Sequence, residues 1–204
     1  LSSCVAHRGK KVLLIDLDPQ GNTTTGLGIN KRGLDKSIYD VIISEEKINN
    51  VLLDTQQDTL KLCPSSMKLA GAEVELVSVI SRETRLKYAL EDVEDMFDFI
   101  FIDCPPSLGL LTINALTAAK TVLVPIQCEY YALEGLTQLM DTVKLVQKRL
   151  NRELEVEGVV LTMFDARTNL SIEVVDEVRK HLKDKVYGTI IPRNVKLSEA
   201  PSYG

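Results

Sequence analysis

Short apolar runs alternate along the chain with stretches whose apolar residues recur every three or four positions. Lys11-Val-Leu-Leu-Ile15, Leu60-Lys-Leu-Cys63 and Phe97-Asp-Phe-Ile-Phe-Ile102 read as strands. So do Thr121-Val-Leu-Val-Pro-Ile126, Val156-Glu-Gly-Val-Val-Leu-Thr162 and Val186-Tyr-Gly-Thr-Ile-Ile191. Continuous apolar runs of this length suit strands covered on both faces. Between them, 83–96 places Leu86, Leu90 and Val93 at helical spacing, 134–149 does so with Leu136, Leu139, Met140, Val143 and Val146, and 171–183 with Ile172, Val175, Val178 and Leu182. A further helix is expected near 110–119. The alternation predicts an α/β fold, a doubly wound, mostly parallel sheet flanked by helices in a single domain over 1–204. Residues 29–59 are the least regular and are expected to form a surface excursion.

Composition narrows the class. The chain has 204 residues, 45% hydrophobic and 26% charged, enough for one well-buried core. Collagen-like, disordered and disulfide-stapled chains are excluded, and no apolar run approaches the ~18 residues of a membrane span. Cys4, Cys63, Cys104 and Cys128 are widely and irregularly spaced. Without a C-x-x-C pair, reduced thiols in a cytoplasmic protein are expected, and not a zinc ribbon or redox dithiol. The chain opens at Leu1 in a helix-like segment with no signal-peptide pattern.

In doubly wound sheets, ligands bind beyond the carboxyl ends of the strands. The first such end reads Asp16-Leu-Asp18-Pro-Gln-Gly-Asn22. Its two carboxylates point the same way if the strand persists; a strand-ending turn capped by Asp accounts for it equally well. The second, Asp103-Cys-Pro-Pro-Ser107, places an acid after a buried strand, the Walker B arrangement that holds Mg²⁺ beside a nucleotide phosphate. Many buried strands also end in Asp. The third is Ile191-Pro-Arg-Asn194, where Asn can meet a base edge or simply make an Asx turn. Together the three favour a nucleotide site. The phosphate cradle G-x-x-x-x-G-K-[ST] does not occur. Gly26-Leu-Gly28 lacks a third glycine and follows a turn, which disfavours a dehydrogenase.

Longer strings carry a resemblance. Lys10-Lys-Val-Leu-Leu-Ile-Asp-Leu-Asp-Pro-Gln-Gly-Asn22 and Phe99-Ile-Phe-Ile-Asp-Cys-Pro-Pro-Ser-Leu-Gly109 resemble segments of the ParA/Soj-type chromosome- and plasmid-partitioning ATPases. Gln127-Cys-Glu-Tyr-Tyr-Ala-Leu-Glu-Gly135, Leu161-Thr-Met-Phe-Asp-Ala-Arg-Thr168 and Ile191-Pro-Arg-Asn-Val-Lys-Leu-Ser-Glu-Ala-Pro201 are similar in order and spacing. The match spans essentially the whole chain, and its cousin MinD is less similar at 127–135 and 191–201. The family fold is a P-loop NTPase of the deviant Walker type. Leu1 aligns after its phosphate loop, and Tyr203-Gly204 falls before its last helix. The chain is therefore expected to be an internal fragment, without the first strand, P-loop and last helix, poorly stable and inactive alone.

For the intact protein the resemblance implies ATP binding with Mg²⁺ and slow hydrolysis. Asp18 orients or activates the attacking water, with a possible water-mediated bond to the metal. Asp16 is structural or adjacent to the metal's ligands. Asp103 holds Mg²⁺ through water, and Asn22 lies near the phosphates across a dimer. Met163 and Pro192 flank adenine, with Asn194 on base or ribose; ordinary core packing explains Met163 equally well. The family also forms an ATP-bound homodimer on DNA without sequence preference, stimulated by a ParB/Spo0J-like partner and found at the nucleoid. A net charge of −5 confines such DNA contacts to a local stripe. Arg167 and Lys196 lead, Arg152, Lys180 and Lys183 follow, and Lys144, Lys148 and Arg149 read as a solvated helix face. His7 and His181 have no metal-spaced partner. Two rivals remain: a MinD-like ATPase using a membrane surface through a C-terminal amphipathic helix, and a remnant that binds no nucleotide.

Overall fold

A computed structural model of the chain describes residues 1–129 and 132–200. Tyr130, Tyr131, Pro201, Tyr203 and Gly204, which belong to strings quoted above, lie outside the described residues. Two compact units are present, one built on Leu1–Ala118 and one on Ala119–Glu199.

The first unit runs α1 (Ser2–Ala6), β1 (Val12–Asp16), α2 (Asn22–Gly26), α3 (Ile38–Ser44), β2 (Leu53–Asp54), β3 (Leu60–Cys63), α4 (Leu69–Glu75), α5 (Arg85–Glu91), β4 (Phe99–Asp103) and α6 (Leu110–Ala118). Its sheet has the order β2-β3-β1-β4. β1 pairs in parallel with both β3 and β4, and β2 is antiparallel to β3. Successive β1 side chains face opposite sides of the sheet. Leu13 and Ile15 enter a core with Ile38, Ile42, Leu69, Leu86 and Leu111. Val12 packs with Ala6 and Leu60 in a separate cluster that Leu14 and Phe101 border. Two-sided burial is why the run is apolar throughout. Leu13→Ala is expected to cost about 2–5 kcal/mol, because the cavity in a strand paired on both sides relaxes little. The urea midpoint falls at constant slope; a loss below about 1 kcal/mol would contradict that burial.

Residues 29–59 are not a surface excursion. They contain α3 and supply Ile38, Val41, Ile42, Ile48 and Val51, none more than 3% exposed. A capping box starts α3: the Ser37 amide donates to Asp40 Oδ2 at 2.8 Å. Ile38, Val41 and Ile42 then fall on one helical face. The segment looked irregular because its elements are short, not because they are polar.

The second unit runs β5 (Thr121–Gln127), α7 (Ala132–Arg149), β6 (Glu155–Phe164), α8 (Asn169–Leu182), β7 (Val186–Pro192) and α9 (Val195–Glu199). Its sheet, β5-β6-β7, is parallel throughout. Val124, Ile126, Val159 and Leu161 pack against Val174, Val175 and Val178 of α8. Parallel sheets flanked by helices are the α/β class read from the pattern.

β4 and β5 depart from two-sided burial: Phe99 and Leu123 remain 46% and 38% exposed. Each is an end strand, with a ladder neighbour on one side only among the described residues.

Candidate functional site

The parallel register of β1 and β4 sets Asp16 opposite Asp103 at the carboxyl edge of the sheet. The chain continues from β1 with the Leu17 amide donating to the Asp103 carbonyl at 2.8 Å. Asp16 is fully buried. Its Oδ2 accepts both the Thr24 amide at 2.7 Å and the Thr24 hydroxyl at 2.6 Å, and its Oδ1 accepts the Asp18 amide at 3.3 Å. Burial pushes this carboxyl above the usual range, opposed by the Thr24 bonds. Asp16 is thus a buried anchor for the loop.

Asp18 does not point with Asp16, because the strand ends at Asp16. It is half-buried, and its Oδ1 accepts the Gln20 amide at 2.9 Å. Its backbone is fixed separately: the carbonyl accepts the Ser65 hydroxyl at 2.7 Å and the Gly21 amide at 2.8 Å. Gly21 sits at φ 61°, the left-handed region that glycine enters without strain. Lys31 Nζ donates to the Gln20 carbonyl. Thr24 joins two elements, since its hydroxyl also accepts the Ser65 amide at 3.0 Å. Asn22 begins α2 and is exposed.

From the same short helix, the Thr23 hydroxyl donates to Asp103 Oδ2 at 2.5 Å. Asp103 is exposed. Cys104 follows it; burial, then the charges of Asp103 and Asp18, push its thiol up to about 12. That thiol is no nucleophile, and its response marks both carboxylates as close by. Asp16, Asp18 and Asp103 form no ion pair among the described residues. An anionic edge with a hydroxyl beside one carboxylate suits a hard divalent cation. No group of three or more His, Cys, Asp or Glu could hold a metal among the described residues. Mg²⁺ needs no such cage, because one or two carboxylates complete its shell with phosphate oxygens and waters. Asp103, with Asp18 near it, fits that demand.

Thr23, Thr24 and Ser65 were not singled out from sequence. The available signal was three consecutive threonines after Asn22 and a serine beyond the Pro64 that ends β3.

The second unit carries the remaining candidates. Met163, in β6, is half-buried at φ 54°, a left-handed conformation costing roughly 1–3 kcal/mol in a non-glycine residue. The β6–β7 register is irregular there, and Phe164 pairs with Pro192. The Arg193 amide donates to the Phe164 carbonyl at 2.9 Å. The loops carrying Met163 and Arg167 therefore lie beside the one carrying Pro192, Asn194 and Lys196. Asn194 Oδ1 accepts the Lys196 amide at 2.8 Å, the Asx turn weighed above.

Arg167 is not a free cation. Its guanidinium grips Asp165 in a fork, Nε to Oδ1 at 2.9 Å and a terminal nitrogen to Oδ2 at 2.7 Å. That hydrogen bonding holds the Asp165 carboxyl well below the usual carboxylate range. Arg193 pairs with Glu129 at 2.8 Å and Lys180 with Glu177 at 3.3 Å. Lys196 is exposed.

Parallel α/β units with an acid-rich carboxyl edge define a nucleotidase-type architecture, and similarity to known proteins sharpens it. The AAA domain family model AAA_31 matches residues 1–156. Over all 204 residues the chain is 59% identical to the sporulation initiation inhibitor protein Soj of Bacillus subtilis (strain 168), covering 81% of that protein. It is 54% identical to the chromosome-partitioning ATPase Soj of Treponema pallidum (strain Nichols), again over the whole chain and 79% of the relative. Among solved structures, cobyrinic acid a,c-diamide synthase from Mycobacterium smegmatis, with bound ADP and magnesium, aligns at TM-score 0.88 and 39% identity, covering 95% of this chain and 78% of that one. The chain belongs to the AAA-domain family that includes the Soj/ParA chromosome-partitioning proteins. No described helix is long and apolar enough to cross a membrane.

Proposed function

We propose that the chain is the hydrolytic part of a partitioning ATPase, whose Mg-ATP-bound homodimer binds DNA non-specifically and turns over when a ParB-like protein engages it. The carrying observation is the edge formed by Asp18, Asp103 and Thr23. In this reading Asp103 and the Thr23 hydroxyl hold the metal's water shell, and Asp18 orients the attacking water. Mg²⁺ supplies charge neutralisation at the phosphates. Asn22, exposed at the start of α2, faces phosphate across the dimer. Met163, Pro192 and Asn194 form the adenine side, and the left-handed backbone at Met163 supports a functional constraint there. Hydrolysis by the full-length protein, lost on chelation and restored by Mg²⁺, is the first test. Turnover indifferent to chelation would defeat the assignment.

For DNA, Lys196 and Arg167 lie on adjacent loops, with Arg167 held out by Asp165. Arg167→Glu with Lys196→Glu is expected to reduce the slope of log K against log salt by about 2, one ion per lost phosphate contact. ATP-dependent dimerisation should survive. Filter binding across a salt series reads this, and an unchanged slope removes both residues from the interface. The resulting location is the cytoplasm, at the nucleoid.

A further inference from the structure

The face of α4 opposite its core side is apolar. Leu69, Ala72 and Leu76 are fully buried in the first unit's core. On the other side Met67, Val74, Val77 and Ile80 are 83%, 77%, 60% and 88% exposed, and Ala70 between them is exposed. The spacing 67, 70, 74, 77, 80 is a helical stripe continued by the turn at Leu76–Ser78. Solvent-facing positions of a soluble domain rarely place this many large apolar side chains together, and such patches mark contact surfaces.

The stripe is continuous with the catalytic edge. Met67 and Ala70 line one concavity, about 200 Å³, with Pro19, Gln20 and Lys31 of the Asp18 loop. Glu73 reaches the other loop: its carboxylate packs directly over Gly109, beyond Asp103. Both nucleotide-facing loops therefore touch the helix that carries the stripe.

We propose that this stripe is a self-complementary face through which two copies of the chain meet antiparallel, a surface for the ATP-dependent dimer of the reading above, on which it rests. The charges at its border select this occupant. Lys68 and Glu75 lie seven residues apart on the same edge of the stripe, both exposed. A two-fold axis near position 71 brings Lys68 of each copy to Glu75 of the other. Glu75 folds back over Gly71, toward that axis, where its Oε1 lies about 3.0 Å from the space a side chain would fill. The second copy's like charge arrives there too, and the two lysines offset the pair. Lys68 forms no ion pair within its own chain among the described residues, so it is available. Glu75 also accepts the Tyr39 hydroxyl at 2.9 Å, which fixes its position. An uncharged centre with reciprocal border charges is what an isologous contact requires. One helical stripe is smaller than the ~800 Å² per partner of a standard interface. Nucleotide contacts must add the rest, which makes the dimer conditional on ATP.

The test uses the full-length protein with a non-hydrolysable ATP analogue and Mg²⁺, read by sedimentation velocity. Val74→Asp is expected to weaken dimerisation at least about tenfold while monomer nucleotide affinity stays unchanged. Lys68→Glu and Glu75→Lys each weaken it, and the double exchange restores it. If the wild-type protein stays monomeric with the analogue, the dimer reading falls and this face with it. If the wild type dimerises but Val74→Asp dimerises equally well, only the face is overturned. So it is if the double exchange is no better than the single reversals. Val74→Asp lowering monomer melting without touching dimerisation would assign the stripe to another segment of the same chain. Lost stimulation by a ParB-like protein with dimerisation intact would assign it to that partner. Both results overturn the proposal.

Discussion

Alanine at position 18 of the full-length protein is expected to leave ATP binding intact and to lower single-turnover hydrolysis by about 10²–10⁴, the range for removing a positioned proton-transfer group. The structure explains why the two effects separate. The backbone of Asp18 is held by Ser65, Gly21 and Asp16, none of which uses the Asp18 carboxylate. Removing the carboxylate therefore leaves the loop where it is. One local bond is lost, from the Gln20 amide to Asp18 Oδ1. Asp18→Asn isolates the chemistry, because its amide oxygen can still accept that bond while its basicity is gone. Both variants should accumulate the ATP-bound dimer. Hydrolysis within a few-fold of wild type in Asp18→Asn would reduce the carboxylate to a turn cap, the alternative its Asp-Pro context offered.

The main lines of the fold were legible because they rest on periodicity. A strand buried on both sides must be apolar at every position, and Val12–Ile15 is. The site's acids were legible because strand ends in such sheets face ligands. What escaped was everything that depends on residues distant in sequence. Thr24 and Ser65 are separated by 41 positions and meet only because β1 and β3 are neighbours in the sheet. Thr23 reaches Asp103 across 80. Hydroxyl side chains have no periodic signature, so a threonine that binds a buried carboxylate looks like one in a turn. Arg167 shows the opposite error. Its place in a strand-following loop suggested a free cation, yet Asp165 two residues earlier grips it. The acid was in the same string, and a one-residue turn between them suffices for the fork. At α4, the core positions Leu69, Ala72 and Leu76 follow the helical period, while the exposed side breaks the rule that the far face is polar. That break gives no clue in sequence to which face is inside.

Thr24→Val removes a hydroxyl without changing shape, and it is expected to cost the first unit roughly 2–5 kcal/mol, because two buried groups lose partners at once. Asp16 Oδ2 keeps the Thr24 amide but loses the hydroxyl at 2.6 Å. The Ser65 amide loses its acceptor at 3.0 Å. Neither gains water, since Asp16, Thr24 and Ser65 are all fully buried. The pH dependence identifies the carboxylate as the source. Burial already raises the folded pKa of Asp16 above the value of 3.8 it has in the open chain, and the Thr24 hydrogen bonds oppose that rise. Without the hydroxyl the folded pKa climbs further. For a carboxyl raised on folding, the native state binds the proton more tightly than the unfolded one. Its contribution is fully present below 3.8 and is lost as pH rises through the folded pKa. The deficit of Thr24→Val should therefore be largest at neutral pH and shrink as the pH falls toward 3.8. Urea midpoints of wild type and variant across that range measure it. Adding Asp16→Asn should flatten the difference, since an amide carries no charge to desolvate. A deficit independent of pH would place the cost at the Ser65 amide and not at Asp16.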